Sequence, residues 1–411
     1  MKKNWYSVAA WGAGILLALI LFSSMASAQQ AKVLKVGTVL PLNFGMGVDT
    51  KNALEMLCAD FNAGGGISIK GQRYTFDLIV YDDKWTAEGG RAAMETLVYQ
   101  DKVNYLISII SSPTIVSGLT LVEQAKILNL CAGTTPKLLD PKLHYTFGVS
   151  TTRTSTPALW TAVKKTWPNA KTVVFLSPND EGGRARAVEE KQVAESFGVK
   201  VLDTLFYPRD AVDFTSLAVK AKSYNPDLVD YPGADTGTQF GLQVKAVHAA
   251  GFKGGQISAI NPKMDEVTAV TSNESLEGLL CKMPDTELPN PPAIAQAFKE
   301  AIVKRYGKWS DSSLPWIPAW YALLAAIKKA DSVDSTVIAD KLAATGLEFQ
   351  RVDGKAMMVK RPDLNNTRYC DTISESQYGQ ARNGKIVPVT RLTLQEVLSA
   401  NEKAYGGGSW K

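Results

Sequence analysis

Between Tyr105 and Leu139 the chain reads YLISIISSPTIVSGLTLVEQAKILNLCAGTTPKLL, and this stretch confines the fold more than any other. Residues 105–110 are a short apolar run bounded by polar residues, the pattern of a strand buried on both faces of a parallel sheet. Ser111 and Ser112 follow, then Pro113. A hydroxyl residue before proline opens a helix, which the apolar period carries to Lys126. Residues 127–131 form the next apolar strand, and Ala132-Gly133-Thr134-Thr135-Pro136 turns the chain. Two neighbouring strands therefore end in hydroxyl-rich loops, where an open α/β sheet carries its ligands. One of these loops also opens a helix, whose free N–H groups and dipole favour an anion. The arrangement points to a carboxylate-binding corner, set against plain helix capping, which Ser-Ser-Pro performs in many folds.

The same rhythm runs on both sides. Strands are predicted over residues 33–40, 74–81 and 144–149, with helices over 48–62 and 86–100; Gly64-Gly65-Gly66 stops the first helix. A second block sets helices over 157–166, 183–197, 213–224, 236–250 and 264–270 against strands over 171–176, 200–206, 228–231 and 256–260. A third opens with a strand over 278–281 and continues with helices over 293–306, 316–330 and 335–344. Short strands broken by Gly and Pro fill 349–392. Alternation of this kind implies an α/β fold of parallel sheets with right-handed crossovers. Two such units followed by a returning strand suit two lobes with a cleft between them.

At the start, Lys2 and Lys3 precede an apolar run over 8–22 and then Ala26-Ser27-Ala28, the layout of a signal peptide over residues 1–28; a retained anchor is the alternative. No later stretch approaches the roughly 20 apolar residues of a membrane-spanning helix. Cleavage leaves 383 of the 411 residues and lowers the formal charge from +5 to +3, which gives no case for nucleic acid. Cys58, Cys131, Cys281 and Cys370 remain, open to three pairings or to buried free thiols.

Enzyme signatures are missing. The two histidines, His144 and His248, read as structural or surface residues, and no HExxH, CxxC pair, GxSxG or P-loop occurs. Gly45-Met46-Gly47 is followed by Thr50 where a dinucleotide fingerprint wants Gly or Ala. No metal or other cofactor is expected. The residues beyond the carboxyl ends of the predicted strands are Asn43, Phe44, Ser111, Ser112, Thr134, Thr135, Asp180, Glu181, Asp235 and Lys263. Trp85, Trp316 and Trp320 offer flat apolar walls, with core packing as the plainer reading of each.

On VLKVGTVLPLNFGMG, FNAGGGI, LIVYDDKWTAEGG, LISIISSPT with LCAGTTPKL, PDLVDYPG, AAGFKG and LEGLLCKMP, the chain resembles the periplasmic solute-binding proteins of the branched-chain amino acid type, components of ABC importers. The resemblance implies two Rossmann-like lobes of the type I periplasmic binding protein fold with three hinge crossings. On this reading one lobe holds residues 29–149 plus about 278–365, and the other 150–277 plus about 366–411. It also implies a periplasmic monomer that hands a small-molecule ligand to a membrane permease with cytoplasmic ATPase subunits. Ser112, with Ser111 or Thr114, and Thr134 with Thr135 match the head-group loops, beside the backbone of Ala132 and Gly133. Trp85 and Trp316 complete the expected walls. The second lobe departs from the pattern: Asn261-Pro262-Lys263 puts a lysine where an acid usually meets the ammonium, and Glu181 and Asp235 stand where aromatics are usual. A lysine repels an ammonium and attracts a carboxylate. The expected ligand is a small amino acid-like or carboxylate-bearing solute other than a simple branched-chain amino acid; aromatic acids, dicarboxylates and amides stay open, with Asp235 or Glu181 to hold an ammonium in a different place. A ligand-sensing receptor subunit and an exported hydrolase working through Asp180, Glu181 and Asp235 are the alternatives.

Overall fold

The apolar runs become the parallel centres of two mixed sheets, with Ile67–Ile69 antiparallel at the edge of the first and two late strands antiparallel in the second, in a computed structural model that describes residues 30–150 and 153–410. The leader read over residues 1–28 lies outside the described residues. The first sheet holds β1 (Lys32–Leu40), β2 (Ile67–Ile69), β3 (Gln72–Asp82), β4 (Tyr105–Ile107), β5 (Leu128–Cys131) and β6 (Thr146–Gly148), in the order β2-β3-β1-β4-β5-β6. The second begins with β7 (Thr172–Pro178), β8 (Lys200–Tyr207), β9 (Leu228–Asp230), β10 (Gly255–Ser258) and β11 (Leu280–Lys282). A small antiparallel sheet follows, of β12 (Glu348–Arg351), β13 (Gly354–Arg361) and β14 (Asn366–Ser374). Strands β15 (Ser376–Arg382) and β16 (Lys385–Leu392) then join the second sheet, whose order is β16-β15-β11-β10-β9-β7-β8.

The chain passes between the two bodies three times: between β6 and β7, after β11, and at Glu375 between β14 and β15. After β11, the helices Ala293–Tyr306, Pro318–Ala330 and Ser335–Thr345 bury Phe298, Trp320, Leu323 and Ile338 against the first sheet's core. The last two crossings fall later than the boundaries read near 278 and 366. The pairing decides this: β11 is held by β10 and β15, and β14 by β13.

Several elements differ from the sequence reading. Strand β4 stops at Ile107 because Ser108 adopts a left-handed backbone with φ 57°. The first helix spans Gly45–Ala63, so Gly45-Met46-Gly47 is its first turn, with no glycine loop left to hold a pyrophosphate; a side chain at Gly47 would strike the Pro41 carbonyl. A helix not anticipated, Leu394–Tyr405, starts at a capping box in which Thr393 and Glu396 satisfy each other's backbone N–H groups. Its Val397, Leu398 and Tyr405 join the second core.

All four cysteines are buried free thiols. A buried charge cluster sits at the crossings. Asp371 on β14 accepts from Arg153 at 2.5 Å and from Arg361 at 2.7 Å, and the Arg361 cation lies 5.0 Å from the Tyr405 ring centre and 4.6 Å from that of Trp410. Among the described residues no helix is long and apolar enough to cross a membrane.

Candidate functional site

The carboxyl ends of β3, β4 and β5 in the first body face those of β7 to β10 in the second, and a cavity of about 50 Å³ lies between them. On the first side, the helix Ser112–Ala125 opens with Pro113 in its first turn, and its N-cap residue Ser111 makes no side-chain cap. Its leading N–H groups therefore stay available at the cavity, where the helix dipole favours negative charge. Asp83, fully buried, fixes this corner by accepting from Thr114 Oγ1 at 2.6 Å and from Trp85 N at 2.8 Å. Burial raises the Asp83 pKa above the ordinary carboxylate value, and these hydrogen bonds work against the rise. The turn places Lys84 and Trp85 consecutively at positive φ, a strained conformation for side-chain-bearing residues that aims the indole across the cleft.

On the second side, Asp180 caps the helix Glu181–Ser196 through Gly183 N at 2.8 Å and accepts from Arg209 Nε at 2.6 Å. Its Oδ2 also accepts from Trp85 Nε1 at 3.1 Å, a hydrogen bond that crosses the cleft. Burial pushes the Asp180 carboxyl up, but Arg209 and these donors outweigh it, leaving the pKa below the ordinary range. The Arg209 cation stacks 4.6 Å from the Trp85 ring centre, and Phe44 meets the same indole edge-on at 5.1 Å. Deeper in the cavity, Arg186 pairs with Glu190 at 3.2 Å and donates to Thr156 and to the Arg153 carbonyl. Behind that pair, burial and the neighbouring Glu190 hold the Asp230 carboxyl well above its ordinary range.

Of the residues expected from sequence, Ser112, Thr134, Trp85 and Trp316 line the cavity. Gly182 brings the two helix starts together, since a side-chain carbon there would sit 3.0 Å from Ser112 Oγ and 3.5 Å from Thr134 Oγ1. Trp316 Nε1 is buried with no hydrogen-bond partner among the described residues. The other expected residues stand behind or beside the wall. Ser111, Thr114 and Gly133 are buried beneath it. Thr135 and Lys137 meet Glu181 across the cleft at 3.4 and 3.0 Å. Asp235 is buried, with its pKa raised by burial despite the Thr236 and Gly237 N–H groups beside it. Trp320 packs edge-on against Phe61 and Phe76 in the first core. Lys263 does not line the cavity: it forms ion pairs with Asp49 at 2.8 Å and Glu266 at 2.7 Å.

The sequence reading missed Arg186, Glu190 and Arg209. Arg209 follows the carboxyl end of β8, so the strand-end rule applied there would have found it. Arg186 and Glu190 are an i,i+4 pair that reads from sequence as a solvated helix face.

A family model described as a periplasmic binding protein matches residues 37–368. The Leu/Ile/Val-binding protein of Escherichia coli (strain K12) is 26% identical over 340 residues, covering 80% of this chain and 87% of that protein. Among solved structures, a leucine binding protein, LivK, from Thermotoga maritima MSB8 superposes with a TM-score of 0.71 at 19% identity, covering 88% of this chain and 99% of that one. A solute binding protein of an ABC transporter from Rhodopseudomonas palustris BisB5, in complex with 3,4-dihydroxy benzoic acid, has a TM-score of 0.70 at 16% identity, covering 88% of this chain and 98% of that one. The likeness is to the two-lobed type I periplasmic binding protein fold.

Proposed function

Because this chain belongs to the periplasmic binding protein family, we propose that it captures a small organic acid in the cleft between its two lobes and delivers it, from the periplasm, to a membrane permease with cytoplasmic ATPase subunits. The carrying observation is the excess of donors at the cavity. Ser112, Thr134, Arg186, Arg209 and Trp316 offer hydroxyl, guanidinium and indole hydrogens there. Among the described residues the one acid on the wall, Glu190, is already ion-paired with Arg186. The donors outnumber it, so a carboxylate matches this wall better than an α-ammonium does. Trp85, Trp316, Met46 and Ile110 supply an apolar body for the solute. The cavity has little more room than one or two waters, each with a share of about 30 Å³. A ligand therefore enters by parting the lobes, which then close around it. The role is capture and release without chemistry on the solute.

Titration calorimetry with benzoate, succinate and leucine tests the reading. An ammonium-free acid is expected to bind, and Arg209→Ala to weaken it about tenfold or more. Binding of leucine alone would return the site to the amino acids named for the Escherichia coli relative. Loss of uptake of the bound acid on deleting the gene tests import; intact uptake with a lost transcriptional response points to a sensor subunit.

A further inference from the structure

A second cavity, of about 390 Å³, lies between the lobes beside the crossing that follows β11, and it shares no wall residue with the first. Lys263, Asp49 and Ser312 form a bonded set between the two cavities, with Ser312 Oγ donating to Asp49 at 2.6 Å. The first lobe contributes Trp309 and Asp311 to the second cavity; the other contributes Met264, Lys282 and Met283. Lys282 is only 4% exposed and Asp311 8%. Among the described residues no salt bridge holds Lys282 or Asp311; the acids whose charge acts on Lys282 are Asp353 and Asp285, and leaving a buried charge without a direct partner is costly. The other charges of the wall are Asp265, Glu287 and Lys385, and Glu287 is engaged by Lys299 and by the Trp309 indole N–H.

We infer that this cavity is a second solute site, built for a zwitterion whose carboxylate meets Lys282 and whose ammonium meets Asp311. Two buried, unpaired groups of opposite charge, set apart around one cavity, are completed together by a molecule that carries both opposite charges. A simple anion leaves Asp311 unmet, and a simple amine leaves Lys282 unmet. Trp309, Met264 and Met283 give such a molecule an apolar wall for its side chain. The titration of both groups agrees. Burial and nearby Arg351 push the Lys282 ammonium down to about 7, against the pull of Asp353 and Asp285. Burial and Glu287 push the Asp311 carboxyl up to about 8. Binding recharges both, so Lys282 gains a proton while Asp311 loses one.

The methionines separate the two sites: Met46 lines the cleft, while Met264 and Met283 line the second cavity. Protein labelled with [methyl-13C]methionine is titrated with the standard amino acids, with n-butylamine and with butyrate, each to millimolar concentration. The inference expects an amino acid to shift the Met264 and Met283 methyls saturably with Met46 unmoved. Butylamine and butyrate should shift them at least tenfold more weakly. Lys282→Gln and Asp311→Asn should each weaken the amino acid about tenfold or more. Failure of every amino acid to move those methyls overturns the inference, as does butyrate or butylamine binding as well as an amino acid; both comparisons need only the unaltered protein. The site proposed for the cleft is read separately, at Met46.

Discussion

Lys263 Nζ lies 2.8 Å from Asp49 Oδ2, and the two atoms belong to opposite lobes. Lys263 is the residue before the helix Met264–Val270, just beyond β10, whereas Asp49 is in the helix Gly45–Ala63. Glu266 steadies the lysine from its own lobe at 2.7 Å, and the lysine is 3% exposed. The residue that the sequence points to as a ligand partner is instead a latch across the cleft.

Asp49→Asn removes the far half of that latch. It should weaken binding of the cleft ligand about tenfold, roughly 1.4 kcal/mol, while barely changing the Tm of the unliganded protein. Calorimetry and thermal melting decide; equal affinity means that the pair takes no part in closure. Burial pushes the Lys263 pKa down, but Asp49 and Glu266 raise it above the ordinary lysine value. Its contribution is complete below the ordinary lysine range and is lost only as pH rises through the raised value. Closure on its account should therefore stay flat between about pH 6 and 9.

Asp180 behaves in the opposite sense. Its lowered pKa means that its contribution is present above the ordinary aspartate value of about 3.9 and is lost as pH falls through the lower folded value. Asp180→Asn should remove the acid dependence that this group gives the stability below about pH 4. It should also weaken ligand binding about tenfold by freeing Arg209 and Trp85. An unaltered acid limb of the stability profile would count against it.

Gly182→Ala tests the approach of the two helix starts. The added carbon meets Ser112 Oγ at 3.0 Å, inside ordinary contact, so the lobes must close less far. Affinity should fall several-fold with Tm nearly unchanged, because the clash exists only in the closed form. A matching loss of Tm would place the strain within one lobe instead.

Asp371 stands between two buried arginines, so Asp371→Ala leaves both without their shared acid. Removing one partner of a buried ion pair costs about 3–5 kcal/mol, read as a shift in the urea midpoint. A change below about 1 kcal/mol would mean that Glu189 and Asp363 compensate.

The cysteines give a chemical check. Burial pushes the Cys131 thiol up to about 12 and raises Cys281 likewise, so neither offers a thiolate near neutral pH. A mild reductant should leave Tm unchanged, and a thiol reagent should label all four only once the protein is unfolded. Fewer than four reactive thiols after unfolding would reveal a bridge.

Much of the fold is legible along the chain. The helices Met264–Val270 and Ala293–Tyr306 begin and end where the apolar period and its breakers say. Alternating short apolar strands and helices leave only a parallel arrangement with crossovers. The Ser-Ser-Pro and Thr-Thr-Pro loops lie beyond strand ends, so Ser112 and Thr134 could be placed at a cavity from sequence alone. The helix Leu394–Tyr405, beyond the strands read over 349–392, had its own signal in the capping box of Thr393 and Glu396.

What only the tertiary structure decided is which charges meet. Lys263 and Asp49 are far apart in sequence, as are Asp180 and Trp85, and nothing local ties either pair. Their pairing depends on how two separately folded layers face each other across the cleft. Arg186 and Glu190 look like a solvated i,i+4 pair until the second sheet and the crossings bury them. Local periodicity fixes which face of an element is apolar; it carries no information on which distant element will cover a polar one, because that depends on the long-range geometry of the crossings.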